Sequence, residues 1–234
     1  MITIWQNELR NAADSNKIKI FMSFFKTGKG EYGEGDKFIG LPVPKNRNIA
    51  KKYYQLDFEL IDQMLQHEIH EFRLSGFLAL VEKFKKKKDS KSQKCIVDFY
   101  VTRGTRANNW DLVDLSAPYI LGTYLLSHPN SELLDELSFS DNLWLQRIAI
   151  VSTLTLVRKN KFDETLRLAK RYLSHPHPLI HKATGWLLRE IGKKDEVVLL
   201  DFLDKYATNM PRTSLRYAIE RLSPQLRQSI MLRK

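Results

Sequence analysis

The five residues WDLVD at 110–114 place a large aromatic ring and a carboxylate four positions apart. On a helix, Trp110 and Asp114 are therefore neighbours on one face. A ring face attracts positive charge and an adjacent carboxylate stabilises it further, so this pair is suited to holding something cationic. The plainer alternative is a helix carboxylate paired with a nearby arginine. Further along, HKATGWLLREIG (181–192) puts Lys182, Trp186 and Arg189 on one helix face and Ala183, Leu187 and Ile191 on another. The second face reads as core. The first flanks an aromatic ring with two cations on what should be the wet side. Such a face either meets a polyanion or simply lays cationic stems along a part-buried tryptophan.

Other groupings carry less chemistry. Gly28-Lys-Gly30-Glu-Tyr-Gly33 is a literal GxGxxG. No strand pattern precedes it, and Glu31, Glu34 and Asp36 would repel phosphate, so a flexible loop is expected there rather than a nucleotide site. SHPHPLIH supplies His175, His177 and His181, but two prolines and no nearby acid or cysteine argue for a pre-helix turn rather than a metal centre. The run KFKKKKDSK (84–92) lies between two helical patterns. Lysines there complement a helix C-terminus and solvate a loop, which accounts for them without a dedicated binding role.

The elements that must position these residues are helical almost throughout. Apolar residues recur at i, i+3, i+4 and i+7 in ITIWQNELRNAA, NKIKIFMSFF, DFELIDQMLQ, EFRLSGFLALVEKF, QKCIVDFYVTR, LWLQRIAIVSTLTLV, DETLRLAKRYL, LIHKATGWLLREI and EVVLLDFLDKYA. Breakers such as SHPN, SHPHP and NMPRT separate them, and one short extended piece is expected at FIGLPVP. The fold class is all-α. One position near the start of every second helix recurs as Arg73, Trp110, Arg147, Lys182 and Arg216, at intervals of 37, 37, 35 and 34 residues. A period in the thirties marks stacked helical hairpins, an α-α superhelix of HEAT-like repeats curved into a solenoid. Equivalent helices would line its concave groove and make that groove basic. One turn further in stand Phe77, Asp114, Val151, Trp186 and Glu220.

The 234 residues suffice for a substantial core, and a 43% hydrophobic share excludes a disordered chain. No apolar run approaches the roughly 18 residues of a membrane span. MITIWQNELRNAAD lacks the long apolar stretch of a secretory signal, and a single cysteine, Cys95, excludes an internal disulfide framework, so an intracellular, cytoplasmic protein is expected. The net charge of +11 points to a polyanionic partner. Its distribution is uneven. Residues 1–140 hold 20 Lys and Arg against 18 Asp and Glu, whereas residues 141–234 hold 18 against 9, which makes the C-terminal part the main landing surface.

WDLVD, LWLQR, HKATGWLLRE and MPRTSLRYAIE together resemble the DNA alkylation repair family typified by the AlkD glycosylase. The strongest matches span about residues 100–222, and the repeat pattern extends the likeness over most of the chain, read as one domain over 1–234. The resemblance implies a HEAT-like solenoid binding duplex DNA in its groove and releasing N3- and N7-alkylated purines by N-glycosidic hydrolysis. Trp110 and Asp114 match the family's Trp and catalytic Asp, Arg147 its Arg, and Trp186 its second Trp. In those roles Asp114 would stabilise the oxocarbenium-like sugar and position water, the two tryptophans would pack on that sugar, and Arg147 would hold phosphate. Lys182, Arg189, Arg212 and Arg216 would contribute further DNA contacts. The resemblance also implies a monomer that leaves the damaged base stacked and needs no metal or cofactor. With no amine beside Asp114 on its own helix face, a monofunctional enzyme without Schiff-base chemistry is expected. Such a protein would be nucleoid-associated when bound to DNA.

The segment FFKTGKGEYGEGDKFIGLPVP (24–44) is longer and richer in glycine than its counterpart in the type enzyme, and either Phe24 or Phe25 would stand near the lesion. Two other readings compete. A non-catalytic module of the same fold would bind distorted or branched DNA, but Trp110, Asp114, Arg147 and Trp186 are all present and favour the enzyme. A protein-interaction scaffold would leave the Trp and Asp grouping without a purpose.

Overall fold

The computed structural model describes residues 1–233 and divides into two compact units, one ending at Ser116 and the other beginning at Ala117. The first unit contains α1 (Ile2–Asn11), α2 (Ile18–Phe24), α3 (Val43–Ala50), α4 (Phe58–Leu65), α5 (His70–Lys86), α6 (Ser90–Thr102) and α7 (Trp110–Asp114). The second contains α8 (Leu121–Ser127), α9 (Ser131–Phe139), α10 (Leu143–Ser152), α11 (Leu154–Arg158), α12 (Asp163–Arg171), α13 (Pro178–Gly192), α14 (Glu196–Tyr206), α15 (Arg212–Ala218) and α16 (Pro224–Met231). The protein is an all-α helical-repeat protein. Among the described residues there is no strand, only an isolated bridge between Lys37 and Ile69 beside the FIGLPVP piece.

The first unit is built around α5. Every residue from His70 to Val81 is buried, because α1, α3, α4, α6 and α7 all pack against this one helix. Gly76 permits the approach of α4: a Cβ there would lie 2.7 Å from Leu65 Cδ2. Trp5 of α1 is fully buried, donates its indole N–H to Ser75 Oγ at 2.9 Å and stacks on Tyr53. Glu71, also buried, accepts the backbone N–H groups of Ile39, Gly40 and Leu41 at 2.8–3.1 Å. One carboxylate thus holds the extended 37–41 segment against the start of α5. Gly40 turns that segment with φ of +80°, and no side chain fits where its Cβ would meet Asp14 O at 2.0 Å.

In the second unit α13 occupies the equivalent place, packed by α10, α11, α12, α14 and α15. Gly185 lets α15 come so close that a Cβ would sit 2.3 Å from Ser214 O. A charged network fastens α9 to α12 on the outside: Arg167 pairs with Asp135 and Glu164, and Arg171 with Asp135.

Two local differences from the sequence expectation have simple causes. LWLQRIAIVSTLTLV is two helices, not one. Ser152 and Thr153 turn their hydroxyls back to the carbonyls of Ala149 and Ile150 at 2.9 and 2.7 Å, which competes with the helix ladder at that point. SHPN is not only a breaker. Asn130 caps α9, its side chain accepting the N–H of Leu133 at 3.0 Å, and the residues after it bury Leu134 and Leu137.

Candidate active site

WDLVD forms the whole of α7, a helix of five residues. So short a helix does not hold itself, and its position must come from packing and polar ties. Asn109, fully buried, caps it by accepting the N–H of Trp110 at 2.9 Å. At the other end Ser116 Oγ donates to the carbonyl of Leu112 and meets the buried Tyr100 hydroxyl at 3.0 Å. Asp111, Leu112 and Val113 face inward, while Trp110 and Asp114 remain half-buried on the outer face, neighbours as the spacing required.

The inward tie is ionic. Asp111 Oδ2 lies 2.9 Å from His70 Nε2, and His70 Nδ1 lies 3.2 Å from Asp36 Oδ2. Asp36 Oδ1 in turn takes Arg73 Nη2 at 2.5 Å and Asn108 Nδ2 at 2.9 Å. All four charged side chains are buried. Burial alone would push the His70 imidazolium down, but the charge and hydrogen bond of Asp111 and the bond to Asp36 outweigh it and raise it to about 9. For Asp36, burial pushes upward, yet the His70 hydrogen bond and the Arg73 charge prevail and hold it below the usual carboxylate range. The rings of Phe38 and Phe25 lie on His70 at centroid distances of 4.6 and 5.0 Å. This cluster fixes the inner face of α7, and with it the direction of the outer one.

Both Phe24 and Phe25 meet Trp110, edge-on at 5.6 Å and tilted at 5.5 Å. They differ in exposure: Phe25 is 7% exposed and belongs to the buried cluster, whereas Phe24 is 60% exposed. The glycine-rich loop that follows satisfies its own amides: Gly28 N–H donates to Glu31 and Gly30 N–H to Glu34, both at 2.8 Å. Those amides are directed at carboxylates rather than at a phosphate.

In the second unit Lys182, Arg212 and Arg216 are exposed and Trp186 is half-buried on α13. Arg216 and Arg227 line one hollow of about 450 Å³, which adds a cation that the repeat reading did not single out. Arg189 is drawn aside by ion pairs to Glu220 and Glu190. The expectation of a surface Arg147 is corrected: it is 5% exposed, and Nη1 donates to the carbonyl of Leu179 at 2.6 Å, tying α10 to the start of α13. Arg73 leaves the supposed basic wall in the same way, at 3% exposure against Asp36. The reason is common to both. A repeat register fixes which helix face a residue occupies, but a cation one turn into a central helix is enclosed by its neighbours. The histidines of SHPHPLIH are spent locally: His177 Nδ1 caps α13 by accepting the N–H of Leu179, His175 meets Gln146 Oε1, and His181 bonds to His175 O.

His70 and Asp36 escaped the sequence reading because nothing in their spacing connects them to WDLVD. Asp111 was within reach, since it sits one position from Trp110 and must point the other way.

The family described as DNA alkylation repair enzyme matches residues 5–222. The chain belongs to the DNA alkylation repair enzyme family. Membership supports a role in DNA repair. A solved structure, a predicted DNA alkylation repair enzyme from Enterococcus faecalis, is similar over 91% of this chain and 97% of that one, with a TM-score of 0.68 and 16% identity. At that identity the likeness shows the fold. No curated protein matches the chain. The family member carries a net charge of +11, and no helix among its described residues is long and apolar enough to cross a membrane.

Proposed function

We propose that this family member is an alkylpurine DNA N-glycosylase, acting as one functional domain and as a monomer on duplex DNA that carries N3- or N7-alkylated purines. The observation that carries the reading is the outer face of α7, where Trp110 and Asp114 stand together on a helix pinned from behind. Alkylation makes the purine cationic, so it departs as a neutral base and leaves positive charge developing on the deoxyribose. Asp114 stabilises that charge and orients the attacking water, in the manner of a glycoside hydrolase carboxylate. Trp110, edged by Phe24, and Trp186 offer ring faces to the sugar. Lys182, Arg212 and Arg216 hold phosphates, and the exposed Arg227 beside Arg216 joins them. Arg147 acts in this scheme by fixing α10 to α13, and Arg189 by its pairing with Glu220. The base stays stacked, no Schiff base forms, and the protein works on the nucleoid inside the cell.

The test is release of free base from a duplex containing one N7-methylguanine, native protein against Asp114→Asn. Asparagine keeps the shape and removes the charge. Release should fall by about a hundredfold or more with duplex affinity unchanged. Equal release by both proteins would take Asp114 out of the mechanism. No release by either, with tight binding to distorted duplexes, would favour a non-catalytic binding module.

A further inference from the structure

Lys26 holds a backbone conformation that its side chain does not favour. Its φ is +56°, and the other described residues with positive φ are Gly30, Gly35, Gly40 and Asn160. Glycine meets no penalty there and asparagine a reduced one, whereas the Cβ of a long side chain crowds the neighbouring carbonyl. The conformation ends α2. Lys26 N–H donates to Ser23 O at 3.4 Å and Thr27 N–H to Met22 O at 3.2 Å, the pair of bonds that satisfies the last carbonyls of a helix around one left-handed residue. Helix α11 ends on the same pair, Asn160 N–H to Val157 O and Lys161 N–H to Leu156 O, both at 3.0 Å, with a residue type suited to the turn. At the end of α2 the turn carries a lysine instead.

The surroundings enforce it. Thr27 Oγ1 also donates to Met22 O at 3.2 Å, and the buried Gly33 donates its N–H to Lys26 O at 2.9 Å. A Cβ at Gly33 would collide with Phe25 O, so that crossing is closed to larger residues. A strained residue clamped in this way is characteristic of positions where the side chain has a task.

That task lies outside the protein. Lys26 is exposed, and its ammonium makes no hydrogen bond or ion pair with any described residue. The carboxylates that follow it in sequence are committed elsewhere. Glu31 and Glu34 accept the N–H groups of Gly28 and Gly30, and Asp36 is held by His70, Arg73 and Asn108. The place is specific. Phe24 and Phe25 directly precede Lys26, and both rings meet Trp110, the neighbour of Asp114 on the outer face of α7. Two trans peptide units put the Cα of Lys26 within about 7.6 Å of that of Phe24.

We propose that Lys26 holds a backbone phosphate of the duplex beside the nucleotide whose sugar meets Trp110 and Asp114. An ammonium without an internal counter-charge, carried on a fixed turn, suits a phosphodiester, which needs charge and position rather than a shaped pocket. The duplex as ligand rests on the family's repair role, and the place beside the reacting sugar rests on the glycosylase reading.

The experiment compares the full chain with Lys26→Gly, which removes charge and strain together, and with Lys26→Arg, which keeps both. Lys26→Gly should raise the thermal unfolding midpoint by about 2–4 °C. Binding is read on a duplex bearing one abasic analogue, at several salt concentrations. Lys26→Gly should bind about fivefold more weakly near physiological salt, with a salt slope lower by about 0.9, while Lys26→Arg keeps the native values. Single phosphates flanking the analogue are then replaced by uncharged methylphosphonates. At one of them, within about two nucleotides of the analogue, the native protein should lose what Lys26→Gly has already lost, and the variant should lose nothing more. A glycine variant no more stable than the native protein would remove the strain on which the argument stands. Unchanged affinity and slope would make Lys26 a solvated lysine, and additive losses at every flanking phosphate would take its contact away from the site. Base release from an N7-methylguanine duplex is scored separately. The expected phosphate coupling without release would sink the glycosylase reading and leave the Lys26 contact standing; release without coupling would do the reverse.

Discussion

Raising the pH should loosen the protein through a single imidazole. His70 is 1% exposed, and its folded state holds the proton up to about 9 against an ordinary 6.5. A group raised in this way contributes stability that is complete below the unfolded value and disappears as pH climbs through the folded one. A rise of that size corresponds to roughly 3 kcal/mol, a large part of the total for a domain of ordinary stability. Neighbouring groups also titrate over this range, so the effect is isolated by comparison with His70→Gln, which keeps one hydrogen bond and has no proton to lose. The assay is urea unfolding followed by circular dichroism at about pH 6 and about pH 10, with stability extrapolated linearly. The native protein should lose roughly 3 kcal/mol more than the variant between the two. Parallel losses would mean that His70 is not held as an imidazolium between Asp36 and Asp111, and the ionic account of how α7 is positioned would fall with it.

Asp36 predicts the opposite limb: its depressed value means that its contribution is present above the ordinary carboxylate range and is lost as pH falls, so Asp36→Asn should flatten the acid side of the same curve. Replacing Gly185 by alanine forces a methyl group to within 2.3 Å of Ser214 O, and thermal unfolding should show a loss of about 2 kcal/mol or more. A Gly185→Ala protein as stable as the native one would show that α13 and α15 separate at little cost. Trp5→Phe removes the indole hydrogen bond to Ser75 and should cost about 1–2 kcal/mol in the same assay, with duplex affinity unchanged. Changing Arg216 and Arg227 to glutamine should reduce the salt dependence of duplex binding by about 0.9 log unit per lost contact, read from affinity at several salt concentrations. An unchanged slope would remove the hollow they share from the DNA surface.

Helical periodicity carried most of the fold because amphipathic helices around a central one must repeat their apolar face. It missed α3, α8, α9 and α16, all of ten residues or fewer, too short to repeat an apolar face over more than two or three turns. The candidate site divided differently. Trp110 and Asp114 were legible from one five-residue string, since i and i+4 on any helix are neighbours. What aims them was not legible: His70 and Asp36 come from positions 41 and 75 residues before Asp111, and no local pattern announces a buried ion pair. Arg73 and Arg147 show the reverse error, in which correct register suggested exposure that packing then removed.

The loop from Gly28 to Gly35 ties Gly28 and Gly30 to its own glutamates and meets the unit at the buried Gly33, whereas the stretch from Asp36 to Leu41 is bound into the unit by Asp36 and Glu71. The replaceable part of the chain is therefore the loop tip around Gly30, before Asp36. A peptide tag inserted next to Gly30 meets open space, whereas Gly30 itself, at φ of +78°, is a position for glycine and not for a labelled cysteine. Proteases should nick the chain before Asp36 and leave both fragments associated. Among homologues, insertions and deletions should accumulate on the near side of that residue and stop at it.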